Sequence, residues 1–455
     1  MDLSGIIRSP EGKTLEFKRD LSSALHVLRT ACAFANTAGG LIVIGIEDRT
    51  GTVRGVPEPF DAEERLASIV ADGISPRLVP DIDVVPWRDT HVIVLRVYPG
   101  PSRPYHVKRL GPDSGVFVRV GSTNRQADSM LAAELARSAR GESYAEQPAP
   151  DAGGIDLGAV REAFLGVRAI RSRDLRTLRL TTDTHGVESP TVGGLLLFGH
   201  DRLEHFPDAW IQTGRFNGTT KNTIIDSADI RSYPIDGVDH ALAFIARNTA
   251  LAYEFSGARR VDVPEYPPAA VREALVNAVA HADYSQQGAP IRVAIFDDRL
   301  EIENPGLLVP GLTIPDLLAG VSKVRNRVIA RVFREIGLIE QWGSGIGRMY
   351  DACQAAGLAP PRLEEVGTSF RVTLYSARHA VPQVDPLDAA ALDALRDGEG
   401  LSTSELAARI ARTPRAARTR LQRLVERGLV VELGSGPNDP QRRYYIAEDS
   451  AHYGR

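Results

Sequence analysis

Two polar breaks constrain this chain more than any single motif does. "GESYAEQPAPDAGG" (141–154) and "RHAVPQVDP" (378–386) interrupt long stretches of periodic apolar residues. Pro stiffens the backbone, Gly loosens it, and neither stretch carries enough apolar surface to be buried, so both read as linkers. Three bodies are expected: 1–140, 156–378 with its core at 265–378, and 387–449, joined at 141–155 and 379–386. Helical and strand-like patterns alternate within them, which predicts an α+β multidomain protein.

Composition narrows the class. With 43% hydrophobic and 25% charged residues the chain is ordinary for globular domains. Its net charge is −4, so a nucleic-acid surface has to be a local patch and not a global field. Cys32 and Cys353 sit in apolar helical runs with no CxxC pair, which argues against disulfides and structural zinc and fits a reducing compartment. No apolar run approaches bilayer-spanning length. The expectation is a cytoplasmic, nucleoid-associated homo-oligomer with no membrane partner.

In the first body, Gly12-Lys13-Thr14 has the ending of a P-loop, but the required first glycine falls at Ile7. "LEFKRD" (15–20) then alternates apolar and charged residues at period two, a strand and not a phosphate-capping helix. Leu25, Val27, Leu28, Ala31, Cys32 and Phe34 recur at helical spacing before Gly39-Gly40 stops them. "LIVIGIED" (41–48) reads as a strand, and "RTGTVRGV" (49–56) as a turn into another. Glu16 and Asp48 are expected at strand ends on a shared surface.

Glu11, "LEFK", "AFANTAGG" (33–40), "IGIED" (44–48) and "GVFVRVGSTNRQA" (115–127) together resemble the Schlafen AlbA_2 family. The resemblance implies an α/β domain that handles nucleic acid. It also implies a ribonuclease site in which Glu11, Glu16 and Asp48 hold Mn²⁺ or Mg²⁺ and act on RNA. Lys18, Arg19 and Arg119 would contact phosphates. The competing expectation is a cross-strand Glu16–Lys18 pair on a solvated face.

The second body contains "PPAAVREALVNAVAHADY" (267–284). Glu273, Asn277 and His281 fall at i, i+4 and i+8, on one helix face. "APIRVAIFDDRLEIENPG" (289–306) reads as two antiparallel strands joined at 297–299. Gly343, Gly345 and Gly347 then precede an apolar helix, placing backbone N–H groups where phosphate can bind. With "PTVGGLLLFG" (190–199), these segments resemble RecG-like transcriptional regulators with a GHKL-type ATPase α/β sandwich. The resemblance implies ATP and Mg²⁺ as cofactors. Glu273 would orient water as the ATPase base, Asn277 would ligate Mg²⁺, Asn304 and Gly306 would lie at adenine, and the three glycines would form a phosphate lid. Two positions depart from that pattern: Asn304 stands where an adenine-reading aspartate is usual, and Ala282 where arginine is.

The last body reads as three helices and a hairpin, resembling a winged helix-turn-helix. Ser402 and Glu405 form a capping box. Thr413 and Pro414 start the third helix and Gly428 ends it. Arginines at 409, 412, 415, 418, 420, 423 and 427 against one Glu426 make this a basic patch. Arg415, Arg418 and Gln422 are expected to enter a major groove, with Arg442 and Arg443 on the wing. Together the three bodies predict a DNA-binding transcriptional regulator that senses ATP, with a metal-dependent endonuclease as the alternative.

Overall fold

"LEFK" and "GLIVI" are the two strands on which the N-terminal body is built. In the computed structural model, which describes residues 3–47, 51–184, 186–256, 259–339, 343–377, 385–396, 400–427, 429–433 and 442–446, strand Leu15–Lys18 runs parallel to Gly40–Ile44. A parallel pair needs a crossover, and helix Ala24–Asn36 provides it. Thr90–Val97 and Asp81–Trp87 extend the sheet antiparallel, so four strands lie side by side. The second expected linker (379–386) lies mostly outside the described residues, as does Gly428.

Both faces of that sheet are covered, as its continuous apolar run demands. Ile42, Ile44, Ile93 and Leu95 point to a core completed by Phe34 and Val27 of the crossover helix and by Leu66 and Val70. Phe17, Val43, Val92 and Val94 point the other way, onto Leu3 and Ile7, with Tyr445 of the C-terminal hairpin packed against them. Accordingly residues 1–128 and 382–455 form one compact unit, and 129–381 another. The helix expected to close the first body, Ser129–Ala139, groups with the second unit.

Helix Pro59–Gly73 was not legible as such. The turn and strand expected over 49–56 shrink to an isolated Ile46–Val53 bridge. Ala62, Leu66 and Val70 are buried at i, i+4 and i+8, a helical signal that the charges around them obscure.

Within 129–381, six strands form a mixed sheet. Their order is Ile224–Ile230, Ile211–Phe216, Ile291–Ile295, Arg299–Pro305, Ser369–Tyr375, Arg362–Val366. Only Ile211–Phe216 and Ile291–Ile295 pair in parallel. The expected hairpin around 297–299 is present. Along Arg299–Pro305, Leu300 and Ile302 face the core, while Glu301 and Glu303 face the other way. There they meet Arg299 at 2.7 Å and Arg371 at 2.7 Å, so that face is a charged ladder. Helix Pro268–His281 packs on the apolar face and is buried nearly all round, which its alanines permit by letting backbones approach.

The C-terminal helices are Pro386–Ala394, Thr403–Arg409 and Pro414–Glu426, followed by strands Val430–Leu433 and Arg443–Ile446. Leu392, Leu406, Leu421, Leu424, Val430 and Tyr444 form their core. The Ser402–Glu405 capping box is formed, and Thr413 accepts from Ala416 N. The protein is a multidomain α+β fold.

Candidate nucleotide cavity and nucleic-acid surfaces

The N-terminal carboxylates are engaged by the protein itself. Glu16 sits mid-strand, 7% exposed; one carboxylate oxygen meets Arg119 Nη2 at 2.5 Å and the other accepts from Lys18 Nζ. The Glu16–Lys18 pair therefore exists, but along one strand and on a buried carboxylate, not across strands on a solvated face. Glu11 Oε1 accepts from Phe17 N at 2.6 Å. Asp48 lies outside the described residues. Among the described residues no group of three or more His, Cys, Asp and Glu side chains could hold a metal ion.

Arg119 is 1% exposed. Its Nε donates to Gly12 O at 2.9 Å, Nη1 to Asn124 Oδ1 at 3.0 Å and Nη2 to Leu15 O at 3.2 Å. Its guanidinium also lies over the Phe34 ring, 5.3 Å from the centroid. These bonds pin the loop at 12–15 to strand Phe117–Val120, so Arg119 is a structural strut here and not a phosphate contact. Of the three cations expected at phosphate, Arg19 is the one that stays exposed, paired with Asp20 at 3.0 Å. Asn36 of "AFANTAGG" is likewise structural: its amide bonds Tyr105 O, Phe117 O and Tyr105 N at 2.7–2.9 Å.

Arg119→Met is expected to destabilise the fold by about 3–5 kcal/mol, because it leaves Glu16 buried with half its pairing. Urea unfolding measures this. An unchanged midpoint combined with lost RNA affinity would instead assign Arg119 to nucleic acid.

The middle unit gathers its expected residues into one place. Glu273, Asn277, Asn304, Gly306, Gly343 and Gly345 all line a single cavity. Helix Pro268–His281 presents Glu273 and Asn277 one turn apart, with Asn277 Nδ2 donating to Glu273 Oε1 at 2.9 Å. A Cβ at Gly345 would lie 1.7 Å from Glu273 Oε1, so a side chain at the start of helix Gly345–Ala355 would push the Glu273 carboxylate aside. Gly343 (φ +66°) packs on Gly320, where a Cβ would lie 2.8 Å from its carbonyl oxygen. Gly306 (φ +102°) closes on Asp283. Gly347 does not line the cavity, and a Cβ there would meet nothing within 4 Å. Asn304 is buried on the cavity wall, its Nδ2 donating to Pro305 O at 3.0 Å.

Sequence spacing missed the cations of this cavity. Arg348, in the first turn of the Gly345–Ala355 helix, reaches Glu273 Oε2 at 3.2 Å. Lys323 and Arg325 come from the segment after helix Ile314–Leu318. His281 completes the helix face; burial, then Arg325, lowers its pKa from 6.5 to about 4, so it is neutral near pH 7. Ala282 is fully buried, and Asn326 Nδ2 holds its carbonyl at 2.7 Å. Arg325 stands 3.9 Å from Asp283, which puts a cation close to where the sequence lacks one.

The seven arginines of 409–427, four of them on helix Pro414–Glu426, divide. Arg415, Arg418 and Gln422 are exposed on one side. Arg420, Arg423 and Arg427 instead turn to Asp388, a carboxylate with no exposed surface, at 2.7 Å for Arg420 and 3.7 Å for Arg427. Arg409 donates to Ala394 O at 3.0 Å. On the hairpin, Arg442 pairs with Glu432 at 3.1 Å, and Arg443 is held by Gly400 O at 2.7 Å and Glu405 at 3.4 Å. The outward basic patch is thus narrower than the sequence alone implies, and both wing arginines already have protein partners.

Comparisons with known proteins follow the same divisions. Residues 11–128 match the family model described as "Schlafen, AlbA_2". Residues 288–374 match "Putative ATP-dependent DNA helicase recG C-terminal", a span that begins after Glu273 and Asn277. Residues 384–431 match "Winged helix-turn-helix DNA-binding". Among solved structures, the DIP2311 protein from Corynebacterium diphtheriae is 20% identical, with 98% of each chain covered and a TM-score of 0.45. The N-terminal domain of a RecG-related protein from Nitrosomonas europaea is 24% identical over 28% of this chain and 90% of that one, with a TM-score of 0.23. In order along its length, the chain carries a Schlafen AlbA_2 region, a RecG C-terminal-type region and a winged helix-turn-helix region.

Proposed function

We propose that this protein is a DNA-binding transcriptional regulator whose middle unit takes up ATP with Mg²⁺. The observation that carries the DNA reading is the outward Arg415–Arg418–Gln422 face, on a helix capped by Thr413. Arg and Gln there have the donor geometry that base edges and phosphates accept. The nucleotide reading draws support from the convergence of six expected residues on one cavity. Asn304, having turned its amino group to Pro305 O, has its oxygen left as an acceptor for an adenine amino group. Asn277 would hold the cation, which neutralises phosphate charge when bound, and Glu273 would orient water. Homo-oligomer formation suits the reading of two-fold DNA sites.

The endonuclease alternative draws no comparable support. A metal at Glu16 would have to displace both Arg119 and Lys18 from a buried carboxylate.

Gly345→Ala tests the nucleotide reading. The new methyl must displace Glu273, and the affinity for ATP with Mg²⁺ in isothermal titration should fall by about tenfold or more, the scale of one charge-assisted contact. Gly347→Ala should bind like wild type. Equal affinity in Gly345→Ala, or no nucleotide heat in the wild type, would overturn the reading.

A further inference from the structure

The nucleotide cavity is charged asymmetrically. Among the described residues, Lys323, Arg325, Arg334 and Arg348 line it against a single carboxylate, Glu273. His281, the remaining titratable group of the wall, is neutral near pH 7. Arg325 is answered from behind the wall, by Glu134 at 2.6 Å. Lys323 donates to a neutral acceptor, Pro310 O, at 3.3 Å. A surplus of positive charge around a concave space favours an anionic occupant.

Both oxygens of the one carboxylate are engaged. Glu273 Oε1 accepts from Asn277 Nδ2 at 2.9 Å, and Oε2 accepts from Arg348 Nη2 at 3.2 Å. The two holds differ in kind. Asn277 stands one turn from Glu273 on the same helix, so the two keep their spacing. Arg348 reaches in from another helix, Gly345–Ala355, and its side chain is 41% exposed against 15% for Glu273. An ion pair with one partner this exposed is weak and easily exchanged. A terminal phosphate, with about two negative charges and three acceptor oxygens, attracts a guanidinium more strongly than one carboxylate oxygen does.

We propose that Arg348 reads the terminal phosphate in this cavity and serves as a latch on Glu273. In the Glu273–Arg348 pair the latch is closed. Arg348 leaves the pair for the terminal phosphate, and Glu273 Oε2 is then released to accept from water. This rests on the nucleotide reading, in which Glu273 orients water and therefore lies beside that phosphate. Two properties follow: the site prefers a triphosphate to a diphosphate, and Arg348 acts as a positioning residue that withholds Glu273 until the triphosphate arrives.

The full-length protein is titrated calorimetrically with ATP and with ADP, each with Mg²⁺. The wild type should prefer ATP by about tenfold or more, the scale of one charge-assisted contact. Arg348→Ala should lose that preference, with ATP weakened about tenfold and ADP nearly unchanged. Arg348→Lys should keep part of it, since the charge survives without the planar fork. Equal losses for both nucleotides, an unchanged ATP affinity, or a wild type without the preference overturns the phosphate-reading role. The latch is read from Glu273→Gln. Removing that charge should raise ATP affinity more in the wild type than in Arg348→Ala, because only the wild type has a pair to break. Equal gains overturn the latch. No heat with either nucleotide in the wild type overturns the nucleotide reading and this inference together, whereas the other failures, with nucleotide bound, overturn this inference alone.

Discussion

Replacing Arg415 and Arg418 together with alanine should weaken binding to the DNA upstream of the protein's own gene by about tenfold at least, since a good base or phosphate contact is worth roughly 1–3 kcal/mol. Both side chains are exposed, so the fold should be indifferent to the change. Measured across a salt series, the double variant should also show a shallower dependence of affinity on salt, by about one unit of slope for each phosphate that is no longer neutralised. Gel-shift or anisotropy titrations give both numbers. Equal affinity at moderate salt would rule out this helix as the reading element.

Asp388→Ala should have the opposite profile, a large drop in stability while the DNA-facing side chains stay in place. Asp388 is fully buried and answers Arg420, Arg423 and Arg427 at once. Removing it leaves Arg420 and Arg423 with only the half-exposed Asp385, at 3.3 and 3.5 Å, and takes the carboxylate away from Arg427. Buried pairs broken from one side cost about 3–5 kcal/mol. The lower end applies, because the arginine side chains are 19%, 47% and 32% exposed and can rehydrate. Urea unfolding, with limited proteolysis to follow the C-terminal helices, tests it. A midpoint within a few tenths of a molar of wild type would show the cluster to be ornamental.

These two experiments address one helix, and the contrast shows where sequence was informative. Residues 415, 418 and 422 share the spacing i, i+3, i+7, and so do 420, 423 and 427. At 3.6 residues per turn the two stripes stand about 140° apart. Spacing identifies both stripes and cannot say which faces water. That depends on Asp388, some thirty residues earlier, whose side chain is brought underneath only by packing. The same limit governed Arg119, whose partner Glu16 lies 103 positions away. Local signals fared better: caps at Ser402 and Thr413, the 291–305 hairpin and the Glu273–Asn277 helix face are all decided within a few residues. In the nucleotide cavity the glycines and amides were legible as motif, while Arg348, Lys323 and Arg325 were not, because an arginine next to a glycine-rich turn has no distinguishing period.

Tyr445 carries a further implication, for biosynthesis. It packs on the sheet face formed by Phe17, Val43, Val92 and Val94, so a sheet translated early is finished by a residue translated much later. At roughly 5–20 residues per second, tens of seconds separate the emergence of that sheet from its cover. Meanwhile helix Leu3–Arg8 and the bridged Ile46 and Val53 are the cover for those side chains that the N-terminal segment itself supplies among the described residues. A ribosome stalled anywhere in the middle unit would therefore display an unfinished apolar face, the kind of surface that chaperones hold and proteases find.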